Sequence, residues 1–395
     1  MFDHLLANRL QGLAGEAAFK MLAAANRLEA QGKKIIHFEI GEPDFPTAKN
    51  IVAAGKKALD DGFTTYCQSQ GIIKLREAIA EHVFQYKGIK TEVDEIVVTP
   101  GGKAAIFYTI CVLVNPGEEV IYPNPGFPAY SSVIRYAGGI PVPVDLREEN
   151  DFRLDINELK AKITSKTKLI ILNSPSNPTG SALTRSDLEA LADVIKGKDI
   201  FVMSDEIYDR ILYDGKVESI AVLPGMKDKT IIVDGFSKAY CMTGWRLGYG
   251  IMHKEIAQNV TRLLINSNSC TTHFVQIAGI EALTGPQDSV GRMTEEYRRR
   301  RDVIVDGLNA MDGITCRNPK GAFYAFPNIT GTGLKSSQVA DYLLNEAGVA
   351  LLDGSSFGSA GEGYLRLSYA TSMDNIHAGL EKIQKALRKM ISTAK

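Results

Sequence analysis

The chain has 395 residues, of which 45% are hydrophobic, and a formal net charge of −1. This length suffices for a large core with a second lobe, and the balanced charge gives no electrostatic basis for binding nucleic acid or an anionic membrane. The five cysteines lack Cys-x-x-Cys spacing, the first ten residues lack a secretory apolar core, and no apolar stretch is long enough to span a bilayer. We therefore expect free thiols, a reducing cytoplasmic setting, and neither nucleic-acid nor membrane partners.

Strand-like and helical patterns alternate along most of the chain. Strands are predicted at Glu95–Thr99, Glu119–Tyr122, Lys168–Asn173, Ile200–Ser204, Thr230–Asp234 and Leu247–Ile251. Helices are predicted at Lys103–Val114, Thr184–Lys196 and Lys254–Asn266. The alternation predicts an α/β fold, a three-layer sandwich around a mostly parallel sheet.

The pattern changes after about Gly285. The remaining elements are predicted as an amphipathic helix Arg292–Met311, strands Ala322–Pro327, Val349–Leu352 and Leu365–Tyr369, and a basic helix Asn375–Lys389. We expect a large domain over residues 49–285, and a smaller α+β domain with an N-terminal segment from residues 1–48 and 286–395. The run Arg298–Arg301 follows two glutamates, so we interpret it as a solvated helix face and not a polyanion site.

Polar groups gather at the predicted strand ends. Gly101 and Gly102 open a helix whose bare amides suit a phosphate, although many strand-to-helix turns carry glycines. Asn177 lies in a turn rich in Pro and Gly, where its amide would either donate to a phenolate oxygen or bond its own backbone. Asp205 ends the next strand. Its carboxylate would either pair with a protonated pyridine nitrogen, so that the pyridine ring can act as an electron sink, or only cap the following turn. No His or Cys cluster adjoins it in the sequence, so no metal site is expected.

The loop after Thr230–Asp234 is the most informative segment. Ser237-Lys238 is followed eight positions after the lysine by Arg246. The lysine amine can condense with an aldehyde to a Schiff base, and the arginine fork can take a phosphate bidentately. Together with the three strand ends, this loop supplies the groups that pyridoxal phosphate needs.

These segments, in this order, closely resemble those of the class I and II aminotransferases among the fold-type I pyridoxal-phosphate enzymes. Gly41-Glu42-Pro43-Asp44-Phe45 resembles their N-terminal substrate loop, and Tyr364–Tyr369 resembles the segment with their carboxylate-binding arginine. The resemblance extends from about Ile35 to the C-terminus. It implies a homodimeric aminotransferase that uses pyridoxal 5'-phosphate to move an amino group between an L-amino acid and a 2-oxo acid, with glutamate, aspartate, alanine and aromatic amino acids as candidate substrates.

The resemblance also implies roles for the residues that carry the chemistry. Lys238 would form the Schiff base and shuttle the α-proton. Asp205 would pair with the pyridine nitrogen, and Asn177 and Tyr208 would hold the ring hydroxyl.

Other implied contacts involve the phosphate, the ring face and the substrate carboxylate. The phosphate contacts would be Gly102, Lys103, Ser237 and Arg246, with Tyr66 from the neighbouring subunit. Phe127 would stack on the ring, and the Gly41 backbone, Asn177 and Arg366 would clamp the carboxylate. Some relatives carry a serine three residues before the lysine, where this chain has Gly235, so Ser237 is expected to supply that hydroxyl.

Substrate choice stays open in the sequence. Lys103 would either contact an acidic substrate side chain or act as a positive residue at a helix start. Phe19, in a Gly15–Phe19 segment expected to pack over the site as a lid, would suit an aromatic or aliphatic side chain, as would Phe323 and Tyr324.

A different reaction on the same cofactor is the main alternative function. A lyase or synthase would keep every cofactor contact, because those contacts do not decide the fate of the carbanion. A nicotinamide dehydrogenase is disfavoured because Gly248-x-Gly250 and Gly331-x-Gly333 lack the third glycine. A pyridoxal-phosphate-binding regulator would need a DNA-binding domain, and too few residues precede Gly41 to form one.

Overall fold

The computed structural model describes residues 6–10, 12–13, 15, 17–216 and 218–394. The first five residues and Glu16, which belong to the N-terminal segments considered above, lie outside this range. The α-helices are α1 (Ala17–Glu29), α2 (Lys49–Asp60), α3 (Ile73–Lys87), α4 (Gly102–Leu113), α5 (Ala129–Tyr136), α6 (Ile156–Lys162), α7 (Arg185–Ile195), α8 (Lys254–Asn268), α9 (His273–Thr284), α10 (Asp288–Asn309), α11 (Ser336–Tyr342) and α12 (Met373–Ala394). The strands are β1 (Ile36–His37), β2 (Ile96–Thr99), β3 (Glu119–Asn124), β4 (Ile140–Asp145), β5 (Thr167–Asn173), β6 (Phe201–Asp205), β7 (Thr230–Gly235), β8 (Gly248–Ile251), β9 (Tyr324–Ala325), β10 (Val349–Ala350), β11 (Leu352–Asp353) and β12 (Leu365–Ser368). None of the helices in the described part of the chain is long and apolar enough to cross a membrane.

Seven strands form the central sheet, in the order β2-β8-β7-β6-β5-β3-β4. The strand β8 runs antiparallel to both of its neighbours, and the other pairings are parallel. The predicted mostly parallel α/β sheet is therefore confirmed.

Helices cover both faces of this sheet because successive strand side chains point in opposite directions. In β7, Ile231 and Val233 pack with the core under α4, α5 and α8, whereas Ile232 packs with the core under α3 and α9. In β5, Ile170 and Leu172 lie on the latter side, against α6 and α7. Each such aliphatic side chain contributes roughly 1.5–3 kcal/mol by leaving water. The alternation produces the expected three layers.

A smaller α+β unit follows the sheet. Its antiparallel sheet has the order β11-β12-β9, and β1 pairs in parallel with β10. Buried side chains of α10 and α12 pack around it, with Tyr297, Tyr369 and Phe323 among the most enclosed.

The four-arginine run of α10 does not form one solvated face. Arg299 is exposed, as expected, and Arg298 is half-buried, but the expectation is wrong for Arg300 and Arg301, which are buried. Arg300 pairs with Asp44, and Arg301 donates to the carbonyl of Pro319. A buried guanidinium needs such partners because its desolvation is costly.

Candidate active site

The candidate site lies at the carboxyl edge of the central sheet, where open α/β sheets bind ligands. The strands β5 and β6 end at Asn173 and Asp205, which are paired in register, and Asp205 pairs onward with Val233 of β7. A cavity of about 540 Å³ opens above these ends. The start of α4, the Gly41 segment and Arg366 of β12 complete its walls.

Lys238 projects into the cavity from the loop after β7. Its Nζ donates to the Gly41 carbonyl oxygen at 2.5 Å and lies 5.7 Å from the ring centroid of Tyr208. Burial lowers the pKa of Lys238 to about 8; the Glu42 carboxylate opposes this shift and Arg366 reinforces it. The neutral amine, which is the nucleophile, is therefore much more populated near neutral pH than in an exposed lysine.

Asp205 lies buried at the floor of the cavity. Its Oδ2 accepts from the Tyr130 hydroxyl at 2.6 Å, and its Oδ1 accepts from the Ile207 amide at 3.3 Å. Burial raises the pKa of Asp205 to about 6, although both hydrogen bonds oppose the shift. A cation held against this carboxylate would be stabilised strongly, because few solvent dipoles compete for it.

Two hydrogen-bonded pairs lie beside this floor. The hydroxyls of Tyr208 and Tyr324 are 2.7 Å apart. Arg366 Nη1 donates to Asn177 Oδ1 at 3.3 Å, and Arg366 also donates to the Glu39 carbonyl. The Arg366 guanidinium stacks 4.6 Å from the Tyr324 ring centroid, so its plane is fixed on more than one side.

The opposite end of the cavity is suited to an anion. Gly101 caps α4 at a φ of 90°, and a Cβ there would lie 2.5 Å from Nη2 of Arg246, so glycine is required both by the backbone and by the close approach. The first amides of α4 and the Arg246 guanidinium therefore face the same space. Ser237 also lines the cavity, as do Gly102, Lys103 and Phe127, with Lys103 Nζ 5.3 Å from the Phe127 ring centroid.

Eleven of the twelve residues assigned from the sequence to the cofactor or the substrate carboxylate line this cavity. They are Gly41, Gly102, Lys103, Phe127, Asn177, Asp205, Tyr208, Ser237, Lys238, Arg246 and Arg366. The twelfth, Tyr66, lies outside it and is 85% exposed. Of the two aromatic residues expected beside the substrate side chain near residue 323, Tyr324 lines the cavity and Phe323 does not. Ala18 and Phe19 of the expected lid also line it, while Glu16 lies outside the described residues.

Sequence reasoning missed two residues of the site. Tyr130, the hydrogen-bond donor to Asp205, lies on α5, where an aromatic residue reads as ordinary core. Glu42 was recognised only as part of a loop motif, yet its charge acts on Lys238, and Thr243 donates to its carboxylate. Neither has a sequence signal that separates it from a structural residue.

The donor set fits pyridoxal 5'-phosphate. It offers a poised amine, a buried carboxylate for a ring nitrogen, polar groups for a ring hydroxyl, and a helix start with an arginine for a phosphate. The aromatic face of Phe127 lies at the cavity wall, where a flat ring can stack.

Comparison with known proteins agrees with this geometry. The family model for aminotransferase class I and II matches residues 33–383. An aspartate aminotransferase of Pyrococcus abyssi is 43% identical over 90% of this chain and 92% of its own length. Aromatic-amino-acid aminotransferase 2 of Thermococcus litoralis is 39% identical over 97% of this chain and 98% of its own. The solved aspartate aminotransferase from Thermus thermophilus with maleate has a TM-score of 0.93 at 36% identity, covering 96% of this chain and 99% of that one.

The fold and the site thus define a pyridoxal-phosphate enzyme of fold type I. Within that class, the chain belongs to the class I and II aminotransferases. Its activity is the transfer of an amino group between an L-amino acid and a 2-oxo acid, with pyridoxal 5'-phosphate as cofactor.

Proposed function

We propose that Lys238 is the catalytic amine of this aminotransferase. The observation that carries the proposal is the Lys238 Nζ, which faces the same cavity as the Asp205 carboxylate and whose pKa is lowered to about 8. When bound, pyridoxal phosphate supplies an aldehyde carbon and an electron-withdrawing ring. Lys238 would offer its neutral amine to that carbon and, once the substrate amine had displaced it, would carry the substrate α-proton on Nζ, as a general base and then as a general acid.

The residues around Lys238 hold the reacting groups in place. Asp205 keeps a positive ring nitrogen protonated, and Tyr130 fixes the orientation of that carboxylate through its 2.6 Å hydrogen bond. Tyr208 and Asn177 donate to the ring hydroxyl. Phe127 covers one face of the ring and limits the access of water.

The two ends of the cavity bind different anions in this proposal. Gly102, Lys103, Ser237 and Arg246 hold the cofactor phosphate. Arg366, with Asn177 and the Gly41 backbone, holds the substrate carboxylate as a bidentate clamp. The stacking of Arg366 on Tyr324 and its bond to Glu39 support this role, because a fixed guanidinium loses little entropy when it binds.

We propose acidic L-amino acids, aspartate and glutamate, as the preferred donors, with aromatic ones also accepted. Lys103 presents an ammonium at the cavity, and Phe19 and Tyr324 supply apolar wall. The names of the relatives, aspartate and aromatic-amino-acid aminotransferases, support the same two substrate types. A panel of donors and 2-oxo acids ranked by kcat/KM tests the proposal. At saturating cofactor, the Lys103→Met variant should lose more kcat/KM for aspartate than for phenylalanine, because loss of its phosphate contact affects both donors alike; an equal loss for both would contradict this assignment.

The same cofactor contacts would also serve a lyase or a synthase. A half-reaction with an amino acid alone separates these activities, because an aminotransferase converts the cofactor absorbance to that of its amine form and leaves a 2-oxo acid. Release of ammonia or a thiol would indicate a lyase.

We also propose a cytoplasmic homodimer that serves amino-acid biosynthesis, with the large domain at residues 49–285. All five cysteines are free thiols, which supports a reducing compartment. The exposed Tyr66 supports a dimer, since it lies outside its own chain's cavity. Cell fractionation tests the location.

A further inference from the structure

Arg300 and Arg301, the buried residues of the arginine run, have no role in the proposed chemistry. Arg300 is 6% exposed, whereas the side chain of its neighbour Arg299 is 64% exposed. A buried arginine is tolerated only where its charge and its hydrogen-bond donors are matched. The groups that pair with Arg300 therefore show which segment of the chain this residue holds in place.

Those partners belong largely to the segment Gly41–Phe45, here called the Gly41 loop. Arg300 Nη1 donates to both carboxylate oxygens of Asp44, at 2.8 and 2.9 Å, and its Nε donates to Glu296 at 3.1 Å. The guanidinium lies 5.2 Å from the Phe45 ring centroid and 5.5 Å from that of Tyr297. The Tyr297 hydroxyl donates to Asp44 as well, at 3.3 Å. The far end of the Gly41 loop is thus fixed by a charge-assisted pair and by ring packing.

The near end of the Gly41 loop is held by groups of the active site itself. The Gly41 carbonyl accepts from Lys238, and the Glu42 carboxylate accepts from Thr243. The loop also has no room to shift towards Tyr324, because a Cβ at Gly41 would lie 2.1 Å from the Tyr324 hydroxyl oxygen. The Lys238 contact is given up whenever Nζ reacts. Of these contacts, the Asp44–Arg300 pair is a charged one that lies away from the reacting groups, since neither residue is among the described residues that line the cavity.

We propose that Arg300 is a positioning residue, which, through Asp44, holds the Gly41 loop over Lys238 while Lys238 changes partners. This inference rests on the proposed function of Lys238. Loss of the pair would let the Gly41 backbone and Glu42 move away from the amine. The Gly41 backbone, which is the part of the proposed carboxylate clamp that belongs to the loop, would then be misplaced.

The test compares Arg300→Gln with Arg299→Gln in the cofactor-loaded enzyme. Arg299 is the matched control, because it is the same residue type on the same helix and is exposed to solvent. Arg300→Gln should raise KM for both the amino donor and the 2-oxo acceptor about tenfold or more, with a smaller effect on kcat. Amide hydrogen exchange of residues 41–45 should accelerate in Arg300→Gln and stay at the wild-type rate in Arg299→Gln.

Further variants separate positioning from a general loss of stability. Asp44→Asn leaves Arg300 paired with Glu296 and should reproduce both effects, and the double variant should be no worse than either single one. Arg300→Lys keeps the charge and should recover part of the KM. A lower Tm in Arg300→Gln with wild-type KM and wild-type exchange in the Gly41 loop would overturn the proposal.

The two proposals fail in different ways. A wild-type enzyme without aminotransferase activity would overturn the proposed function. The exchange rate of the Gly41 loop does not depend on turnover, so unchanged exchange in both Arg300→Gln and Asp44→Asn would overturn the positioning role alone.

Discussion

Lys238 is the amine on which the proposed chemistry depends, and its removal is the most direct test. Lys238→Ala deletes the nucleophile and the proton carrier together, so kcat should fall by about four orders of magnitude or more. Binding of the cofactor should persist, because Asp205 and Arg246 are unchanged. Absorbance in a single turnover with glutamate and an equilibrium Kd for the cofactor measure the two effects. Wild-type turnover without an added amine would refute the assignment.

The two cavity arginines should be separable by their ligands. Arg366→Lys keeps a charge but loses the planar fork, so KM should rise for donor and acceptor alike, by the equivalent of about 2–5 kcal/mol. The cofactor Kd should change little. The matched variant Arg246→Lys should show the opposite pattern, a weaker cofactor Kd. If Arg366→Lys lost the cofactor and kept its KM values, the two roles would be interchanged.

The site residues that could be predicted from the sequence are those that lie in short motifs with a recognisable chemistry. Lys238 and Asp205 follow apolar strands directly, and parallel strands bring their carboxyl ends to one edge. The roles of Tyr130 and Arg300 could not be predicted in this way. Each acts through a partner far away in the sequence, because Tyr130 and Asp205 are separated by 75 positions and Arg300 and Asp44 by 256. Long-range pairing of this kind depends on packing, which a local pattern does not contain.

Strands were predicted correctly where strand-like and helical patterns alternated clearly. The predictions failed where backbone geometry determined whether a strand forms and where it begins. The prediction missed β4, whose sequence includes Pro141 and Pro143. This strand lies at the edge of the sheet, the position where a strand tolerates proline because one side needs no partner. The strand expected from Ala322 begins only at Tyr324, since Ala322 adopts a φ of 56°, outside the extended region.

The helix α3 ends at a lysine that joins it to two strands. Lys87 is buried, and its Nζ lies 2.6 Å from Glu206, 2.5 Å from Asp209 and 3.3 Å from Asp234. Lys87→Met would leave these carboxylates buried without their cation, which should lower the free energy of unfolding by about 3–5 kcal/mol. Lys90→Met, an exposed substitution three residues further on, is the control. Urea unfolding measures both variants, and equal unfolding midpoints for Lys87→Met and Lys90→Met would show that the cluster is not stabilised by Lys87.

This cluster also predicts a pH dependence of stability. Burial and the Asp209 carboxylate raise the pKa of Asp234 to about 7, and the Lys87 ammonium offsets this only in part. The usual aspartate pKa is about 3.9, so the folded state retains a proton that the unfolded chain releases between about pH 4 and 7. The contribution of Asp234 is therefore fully present at the acid end of this window and is lost as pH rises through it. Asp234→Asn should remove this decline, and parallel unfolding profiles for wild type and variant from pH 4 to 7 would contradict it.

Some large apolar side chains are exposed on the surface of the single chain. Tyr66 is 85% exposed, Ile265 is 50% exposed and Ile73 is 46% exposed, although large apolar side chains are usually covered. Arg246 and Lys103 are exposed beside the cavity, so solvent would reach a bound phosphate unless something covered it. A second copy of the chain would cover both features, and a twofold interface would present the same patch from each side.

A mixed dimer tests whether Tyr66 serves the neighbouring site. Lys238→Ala removes the amine from its own site, whereas Tyr66→Phe should impair the site of its partner. In a hybrid of the two, the subunit with Tyr66→Phe keeps its own Lys238 and receives an intact Tyr66 from the other chain. Random mixing in equal amounts should therefore restore about a quarter of the wild-type sites, well above either parent alone. The kcat/KM after refolding the mixture measures this recovery, with unmixed parents as controls. If each chain used its own Tyr66, every site in the hybrid would lack one group, and mixing would restore nothing.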